Sequence, residues 1–323
     1  MPENTILNLL TDYKRTAAFL SAFELGLFNY LKRGSVDIDE LAKFLKGDRS
    51  LLELLLCCLE GEGLVEREEK LWKIGAGFSD YAVNMDNYRD IIMHEKNLFN
   101  RWVTPQCIAS SVLEGVGCRN FDREGFDSQE KETYFKAMCG RNIDIISFWI
   151  KRELMGKKEI SCIEIGRSVG ALSLSLSKKM ADMDITLVID KEFMGLYNTR
   201  MKKDFGSTTP KVYESGLSDY SGKYDLICIY NTIHYYPKNE VIKLLSNLKN
   251  TIKEGALICI ADLFLKKDDK FNTLVLLDWI THGGTNSLEV GDIVDIFNEA
   301  GLRVFKHKNI PEISTDLIFG VMA

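Results

Sequence analysis

The chain has 323 residues, 46% hydrophobic and 27% charged, with a formal net charge of −6. That is the balance of a soluble globular protein long enough for two domains. The acidic balance argues against nucleic acid as the main partner, because phosphate contacts need clustered Lys and Arg. No apolar run approaches the roughly 18 residues that would mark a membrane span. The first residues, MPENTILNLLTDYKR, lack a basic stretch followed by an apolar one, so the expected location is the cytoplasm.

Residues 12–32, DYKRTAAFLSAFELGLFNYLK, place Ala18, Phe19, Ala22, Phe23, Leu25 and Leu27 on one helical face. Residues 37–46, DIDELAKFLK, open on Asp37 with Glu40 three later, the pattern of a capping box. Asp48 then precedes a third helix, RSLLELLLCCLEGEG, and LVEREE and KLWKIG follow as a strand pair. This is the element order of a winged helix-turn-helix. The third helix is rich in leucine and carries Glu53 and Glu60, so it is expected to pack within protein and not in a DNA groove. The expected role of this part is dimerisation about a two-fold axis. Residues 88–115 and 128–153 read as further helices, with GVGCRNFDREGFD as a loop between them.

From residue 159 the pattern changes. ISCIEIG, ITLVID, YDLICIY and ALICIADLFL read as apolar strands, and GLRVFKHKNI and STDLIFGVMA as a closing pair. ALSLSLSKKM, a stretch near 193–203, and segments at 238–253 and 289–300 read as the helices between them. The alternation predicts a doubly wound α/β sheet covered on both faces. None of the eight cysteines forms a CxxC pair, so no zinc or other metal site is expected. Cys162, Cys228 and Cys259 sit in strand-like runs and read as small buried hydrophobes, and all eight read as reduced thiols.

Two turns stand where such sheets bind nucleotides. In CIEIGRSVGALSLSLSKK an apolar strand ends near Glu164, and a turn with Gly166 and Gly170 leads into a helix. A turn of this kind lets the backbone approach a ligand closely. The GxGxxG of dinucleotide sites is absent. About 20 residues on, ITLVIDKE ends a strand at Asp190, an acidic residue suited to ribose hydroxyls. A third stretch places His234 just after YDLICIYNTI, at the C-terminal edge of the expected sheet.

With these motifs in place the chain resembles the S-adenosylmethionine-dependent small-molecule O-methyltransferases of plant phenylpropanoid and bacterial natural-product pathways. AFELGLFNYL, DIDELAKFL, RSLLELLLCCLEGEGLVE and KLWKIG are similar to that family's dimerisation domain. IEIGRSVGALS and TLVID are similar to its cofactor motifs, IHYYPKNEVIKLLSNLKNTIKEGALICIAD to the stretch around its catalytic histidine, and HGGTNSLEVGDIVDIFNEAGL to its late glycine pair. The resemblance implies a Rossmann-like class I methyltransferase domain at 156–323, a winged-helix-like dimerisation domain at 1–85, and pocket helices at 86–155. It implies S-adenosylmethionine as cofactor, held by Glu164, Gly166, Arg167, Ser168, Gly170, Asp190, Lys191, Gly216, Leu217, Tyr230 and Asn231. It implies His234 as general base, with Asp262 in the place of its first supporting carboxylate. The pocket for a small aromatic or conjugated substrate would draw on Trp102, Phe135, Met138, Trp279, His282 and Asn286, and Phe99 and Trp149 are further aromatics of the same stretches.

The sequence departs from the family pattern at several of these places. Arg167 and Ser168 stand where the family motif carries a further glycine. Gly216 takes the place of an aspartate that reaches the adenine, and Tyr230 that of a lysine. Asn286 takes the place of the second supporting glutamate. An alternative reading therefore keeps the fold and cofactor but not the reaction: pericyclic, hydroxylating or decarboxylating chemistry, or methyl transfer to carbon or nitrogen. A non-enzymatic regulator built on the same fold is a third.

Overall fold

The computed structural model describes residues 4–101, 108, 111–114, 127–180, 182–206, 208–214, 222–281 and 287–323. The chain divides into two compact units, Met1–Lys96 and Asn97–Ala323.

In the first unit, α1 (Asn4–Glu24), α2 (Leu27–Leu31), α3 (Ile38–Leu45) and α4 (Arg49–Gly61) are followed by β2 (Val65–Glu68) and β3 (Leu71–Ile74). A two-residue strand, β1 (Val36–Asp37), completes a small sheet in the order β1-β3-β2. Asp37 caps α3 by accepting from the Asp39 N–H at 2.8 Å, and Asp48 caps α4 through the Leu51 N–H at 2.9 Å. The capping box expected at α3 does not close, because Glu40 instead accepts the Tyr30 hydroxyl at 2.8 Å. Leu27, Phe28, Leu41, Leu56, Leu59 and Trp72 are buried and form the core of this unit. α5 (Ser79–Val83) and α6 (Met85–Arg101) follow.

The second unit is a mixed sheet between layers of helices. Its strands are β4 (Ile160–Ile165), β5 (Met183–Ile189), β6 (Lys211–Glu214), β7 (Tyr224–Tyr230), β8 (Ile252–Asp262), β9 (Leu302–Ile310) and β10 (Thr315–Met322), in the order β6-β5-β4-β7-β8-β10-β9. The first five neighbours pair in parallel, and β10 runs antiparallel to both β8 and β9. The helices are α7 (Ser128–Glu153), α8 (Ala171–Ser177), α9 (Lys238–Leu248), α10 (Lys270–Thr281) and α11 (Val290–Glu299). Alternation along each strand separates the faces. Ile163, Ile165, Ile227, Ile229, Ile258 and Ile260 pack with Val241 and Leu245 of α9 and Ile293 and Phe297 of α11. Cys162, Leu226, Cys228 and Cys259 face the other way, onto Ile146 and Ile150 of α7 and Leu172 and Leu176 of α8.

Four elements differ from expectation. The short strand β6 and the helix α10 had no separate signal: β6 is only KVYE, and α10 is apolar without a clear polar face. The helix expected near 193–203 is a series of short 3-10, α and π turns over 191–204. Thr199 Oγ1 donates back to the Gly195 carbonyl at 2.9 Å, one of the local bonds that compete with a regular ladder. The helix expected at 238–253 stops at Leu248, passes through one 3-10 turn, and gives way to β8 at Ile252.

Candidate active site

The C-terminal ends of β4, β5 and β7 place the glycine turn, Asp190 and His234 on one edge of the sheet. In such folds that edge holds the ligand, because the loops there diverge and leave a crevice.

Glu164 turns toward α8, the face opposite Ile163 and Ile165. Its carboxylate accepts the Gly170 N–H at 3.0 Å, the Ser173 N–H at 2.6 Å and the Ser168 hydroxyl. It thereby satisfies orphan donors at the start of α8 and fixes the turn. Ser168 is buried by this bond. Gly166 has φ +118° and Gly170 φ +91°, backbone that side chains rarely adopt. Both are also crowded by protein. A Cβ at Gly166 would stand 1.9 Å from Thr232 Oγ1, and one at Gly170 would stand 2.8 Å from Leu187 Cδ1.

Thr232 joins this turn to the loop after β7. Its hydroxyl donates to the Tyr230 carbonyl at 2.7 Å and accepts the Arg167 N–H at 3.3 Å. Its own N–H donates to Asp262 Oδ2 at 3.0 Å. Sequence reasoning passed over Thr232, since a threonine after a strand has no pattern of its own.

His234 and Asp262 form the centre of the site. His234 Nδ1 lies 2.8 Å from Asp262 Oδ1, and the two side chains are only 4% and 1% exposed. Asp262 also accepts the N–H groups of Thr232, Ile233 and Leu263, at 3.0, 3.0 and 2.8 Å. Both Asp262 oxygens thus serve as hydrogen-bond acceptors. With Asp262 as the acceptor, Nδ1 donates this hydrogen bond, and Nε2 is the ring's second nitrogen. Nε2 is buried and has no hydrogen-bond partner among the described residues. The ring lies against Tyr235 and Trp279, with centroids 4.1 and 4.5 Å away.

Asp190 directly follows β5, and its side chain is 24% exposed. Arg167 is turned inward, with its side chain 12% exposed. Its guanidinium carbon lies 3.6 Å from the Tyr235 ring centroid and 5.4 Å from that of Phe193, and Nε lies 4.0 Å from Asp190 Oδ2.

The other expected residues are placed as follows. Lys191 is exposed at the start of the helical turns. Tyr230 is buried in the cluster on the α7 side of the sheet. Asn231 is buried with φ +50°, and its N–H donates to the Ala261 carbonyl at 2.8 Å. Phe135 is buried in the cluster of Val169, Leu174, Leu187 and Phe193. Trp149 is half-buried beneath Lys308 and Arg152. Phe99 lies half-buried in α6. Trp279 is brought onto His234. Trp102, Gly216, Leu217, His282 and Asn286 lie outside the described residues, as does the side chain of Met138. Among the described residues no group of His, Cys, Asp and Glu could hold a metal ion.

Similar architectures exist among solved structures. The mitomycin 7-O-methyltransferase MmcR superposes with a TM-score of 0.79 at 16% identity, over 99% of this chain and 98% of that one. The chain has the class I methyltransferase fold. PigF, solved with SAH, gives a TM-score of 0.80 at 16% identity over 99% of this chain and 100% of its own. An O-methyltransferase family protein from Burkholderia thailandensis gives 0.76 at 16%, over 98% and 97%. No family model and no curated protein matches the sequence. At these identities the likeness is one of fold, so the chemistry rests on the site itself.

Proposed function

We propose that this chain is an S-adenosylmethionine-dependent methyltransferase acting on a hydroxyl of a small aromatic or conjugated molecule, with His234 as general base. The observation that carries the reading is the buried, unpartnered Nε2 of His234, with Nδ1 tied to Asp262. An imidazole with one nitrogen held by a carboxylate and the other without a hydrogen-bond partner is the arrangement of a general base. The SAH-bound PigF supports the choice of cofactor.

The described residues fit that cofactor. The turn between Glu164 and Gly170 brings backbone to the sheet edge, and the Asp190 carboxylate after β5 stands where such folds bind the ribose diol. When bound, the cofactor supplies an electrophilic methyl group. His234 Nε2 takes the proton from the substrate hydroxyl as its oxygen becomes nucleophilic. Asp262 holds the tautomer and stabilises the imidazolium that forms. Tyr235 and Trp279 keep the ring from turning and exclude water from it. Incubation with labelled cofactor and a panel of phenols and enols tests the reading. A product heavier by one methylene, lost in His234→Ala, supports it, and an unlabelled isomer supports the repurposed alternative instead. Arg167, whose guanidinium stacks on the Tyr235 ring beside His234, is the observation that favours that alternative.

The first unit is read as a winged-helix-like dimerisation domain. Leu51 and Leu54 of α4 are 68% and 63% exposed, an apolar face suited to a second copy. Light scattering at micromolar concentration tests this, and a monomer counts against it. No described helix is long and apolar enough to cross a membrane, and the reading places the enzyme in the cytoplasm.

A further inference from the structure

We infer that Asn272 is a positioning residue for the His234 ring: it ties α10 to the chain that follows Asp262, and so keeps Trp279 against the imidazole. The inference rests on the reading of His234 given above for the chemistry that the ring performs.

Asn272 stands in the first turn of α10 and is only 2% exposed. Its carboxamide spans the chain just after β8. Nδ2 donates to the Phe264 carbonyl at 2.9 Å, and Oδ1 accepts the Lys266 N–H at 2.8 Å. A carboxamide carries a donor and an acceptor side by side, which is what this carbonyl and this N–H require. A carboxylate could not donate to Phe264, and an alanine would leave both backbone groups without this partner. The two groups lie two and four residues beyond Asp262.

Further contacts fix the same segment to its surroundings. Lys266 Nζ lies 2.8 Å from Oδ2 of Asp316, a fully buried residue that stands opposite Asp262 in the pairing of β8 with β10. The Leu265 N–H donates to the Leu288 carbonyl at 2.8 Å. The chain from Asp262 to Lys266 is thus held in one place, and Asn272 passes that placement to the helix.

Helical spacing carries the placement to the ring. Asn272, Leu276 and Trp279 follow one another at i, i+4 and i+7, so they share one face of α10 over two turns, roughly 10 Å. Leu276 is buried at its middle. Trp279 ends it, with its ring centroid 4.5 Å from that of His234. The two ends of this face therefore meet the two halves of one pair. Asn272 holds the backbone after Asp262, and Trp279 lies on the histidine whose Nδ1 is 2.8 Å from Asp262 Oδ1. An amphipathic helix is turned by its own apolar stripe. α10 has no such stripe, and Leu274 and Leu277 stand exposed on it. Burial of apolar surface does not by itself select which face turns inward. The carboxamide does, because only one rotation of the helix brings it to Phe264 and Lys266 together.

The NMR signals of the histidine ring protons of the full chain test the inference without any substrate. The chain has four histidines, and His234→Gln assigns the His234 signals. Protons lying against an indole are displaced by its ring current, and Trp279→Leu gives their position without it. In Asn272→Ala the His234 signals are expected to move in the same direction as in Trp279→Leu. In Leu274→Ala, at an exposed position of the same helix, they are expected to stay in place. Thermal melting shows whether each variant is folded, and Asn272→Ser is read if the Ala variant unfolds. Unmoved His234 signals in a folded Asn272 variant, or in Trp279→Leu itself, overturn the inference, and so does the unfolding of both Asn272 variants. The reading of function fails on a different result, the absence of labelled product from the wild-type chain, and these signals report on Asn272 whichever way that assay falls.

Discussion

Thr232 leaves no room for a side chain at residue 166: a Cβ built on Gly166 would lie 1.9 Å from Thr232 Oγ1 and 2.8 Å from its Cβ. The glycine turn is therefore shaped as much by the neighbouring loop as by any ligand. Gly166→Ala combines this clash with a positive φ. It is expected to cost about 2–4 kcal/mol, from the left-handed backbone penalty and overpacking together. Denaturant unfolding of Gly166→Ala, Thr232→Ala and the double variant checks it. The double variant should recover part of the loss, because removing the hydroxyl and methyl opens the space. Strictly additive losses would show that the two residues do not press on each other.

His234 and Asp262 should separate in their effects on catalysis. His234→Ala removes the proposed base, and its kcat is expected to fall by about 10²–10⁴. Asp262→Asn keeps the size but lets the other tautomer form, so a fall of at least about tenfold is expected with the cofactor affinity little changed. Parallel measurements of kcat and of cofactor binding check this. A fall in binding without a fall in kcat would assign the pair to cofactor support.

Asp225 provides a pH-dependent contribution to stability away from the site. Burial pushes its carboxyl up, but Lys253 and the Ser161 N–H and hydroxyl together outweigh that and bring it down to about 2. The Lys253 ammonium is 2.7 Å away, and the Ser161 hydroxyl and N–H are 2.7 and 3.0 Å away. A carboxyl whose pKa is lower in the folded than in the unfolded chain stabilises the fold above its unfolded value, near 4. That contribution is lost as pH falls toward 2. Lys253 is 43% exposed, which screens the pair, so the contribution is on the order of 1–2 kcal/mol. Melting temperatures of wild type and Asp225→Asn should converge between pH 4 and 2. Parallel curves across that range would contradict the assignment.

The cysteines should divide by burial. Cys162, Cys228 and Cys259 lie buried in adjacent strands, while Cys57 and Cys58 are exposed. The Cys228 thiol is pushed up by its hydrogen bond with Cys162 and by burial, and that of Cys259 by burial first. Only thiolates alkylate at useful rates. Mass mapping after brief native iodoacetamide treatment should find Cys57 and Cys58 modified and the three strand cysteines intact until the chain is unfolded. Early labelling of Cys228 would show that the sheet opens locally.

Some of this was local enough to read from the sequence. The apolar strands, the glycines at 166 and 170, the acidic end of β5 and the histidine after β7 are each decided within a few residues. Strand alternation and turn chemistry act at that range. The α4 cap at Asp48 is local in the same sense. The Glu40 capping box had the right spacing yet failed, because Tyr30 reached the carboxylate from another helix.

What only the tertiary structure decided depends on register and on side-chain direction. Asp262 supports His234 because β8 lies beside β7 and its last residue meets the following loop. The sequence aligned Asp262 with a supporting carboxylate but could not show that three backbone donors hold it. β6 has too few residues to announce itself and exists because β5 offers it an edge. Arg167 could have pointed to solvent. Tyr235, Phe193 and Asp190, brought together from two loops, turn it inward. A residue's type is fixed by the sequence, but its partners are fixed by which way the side chain turns.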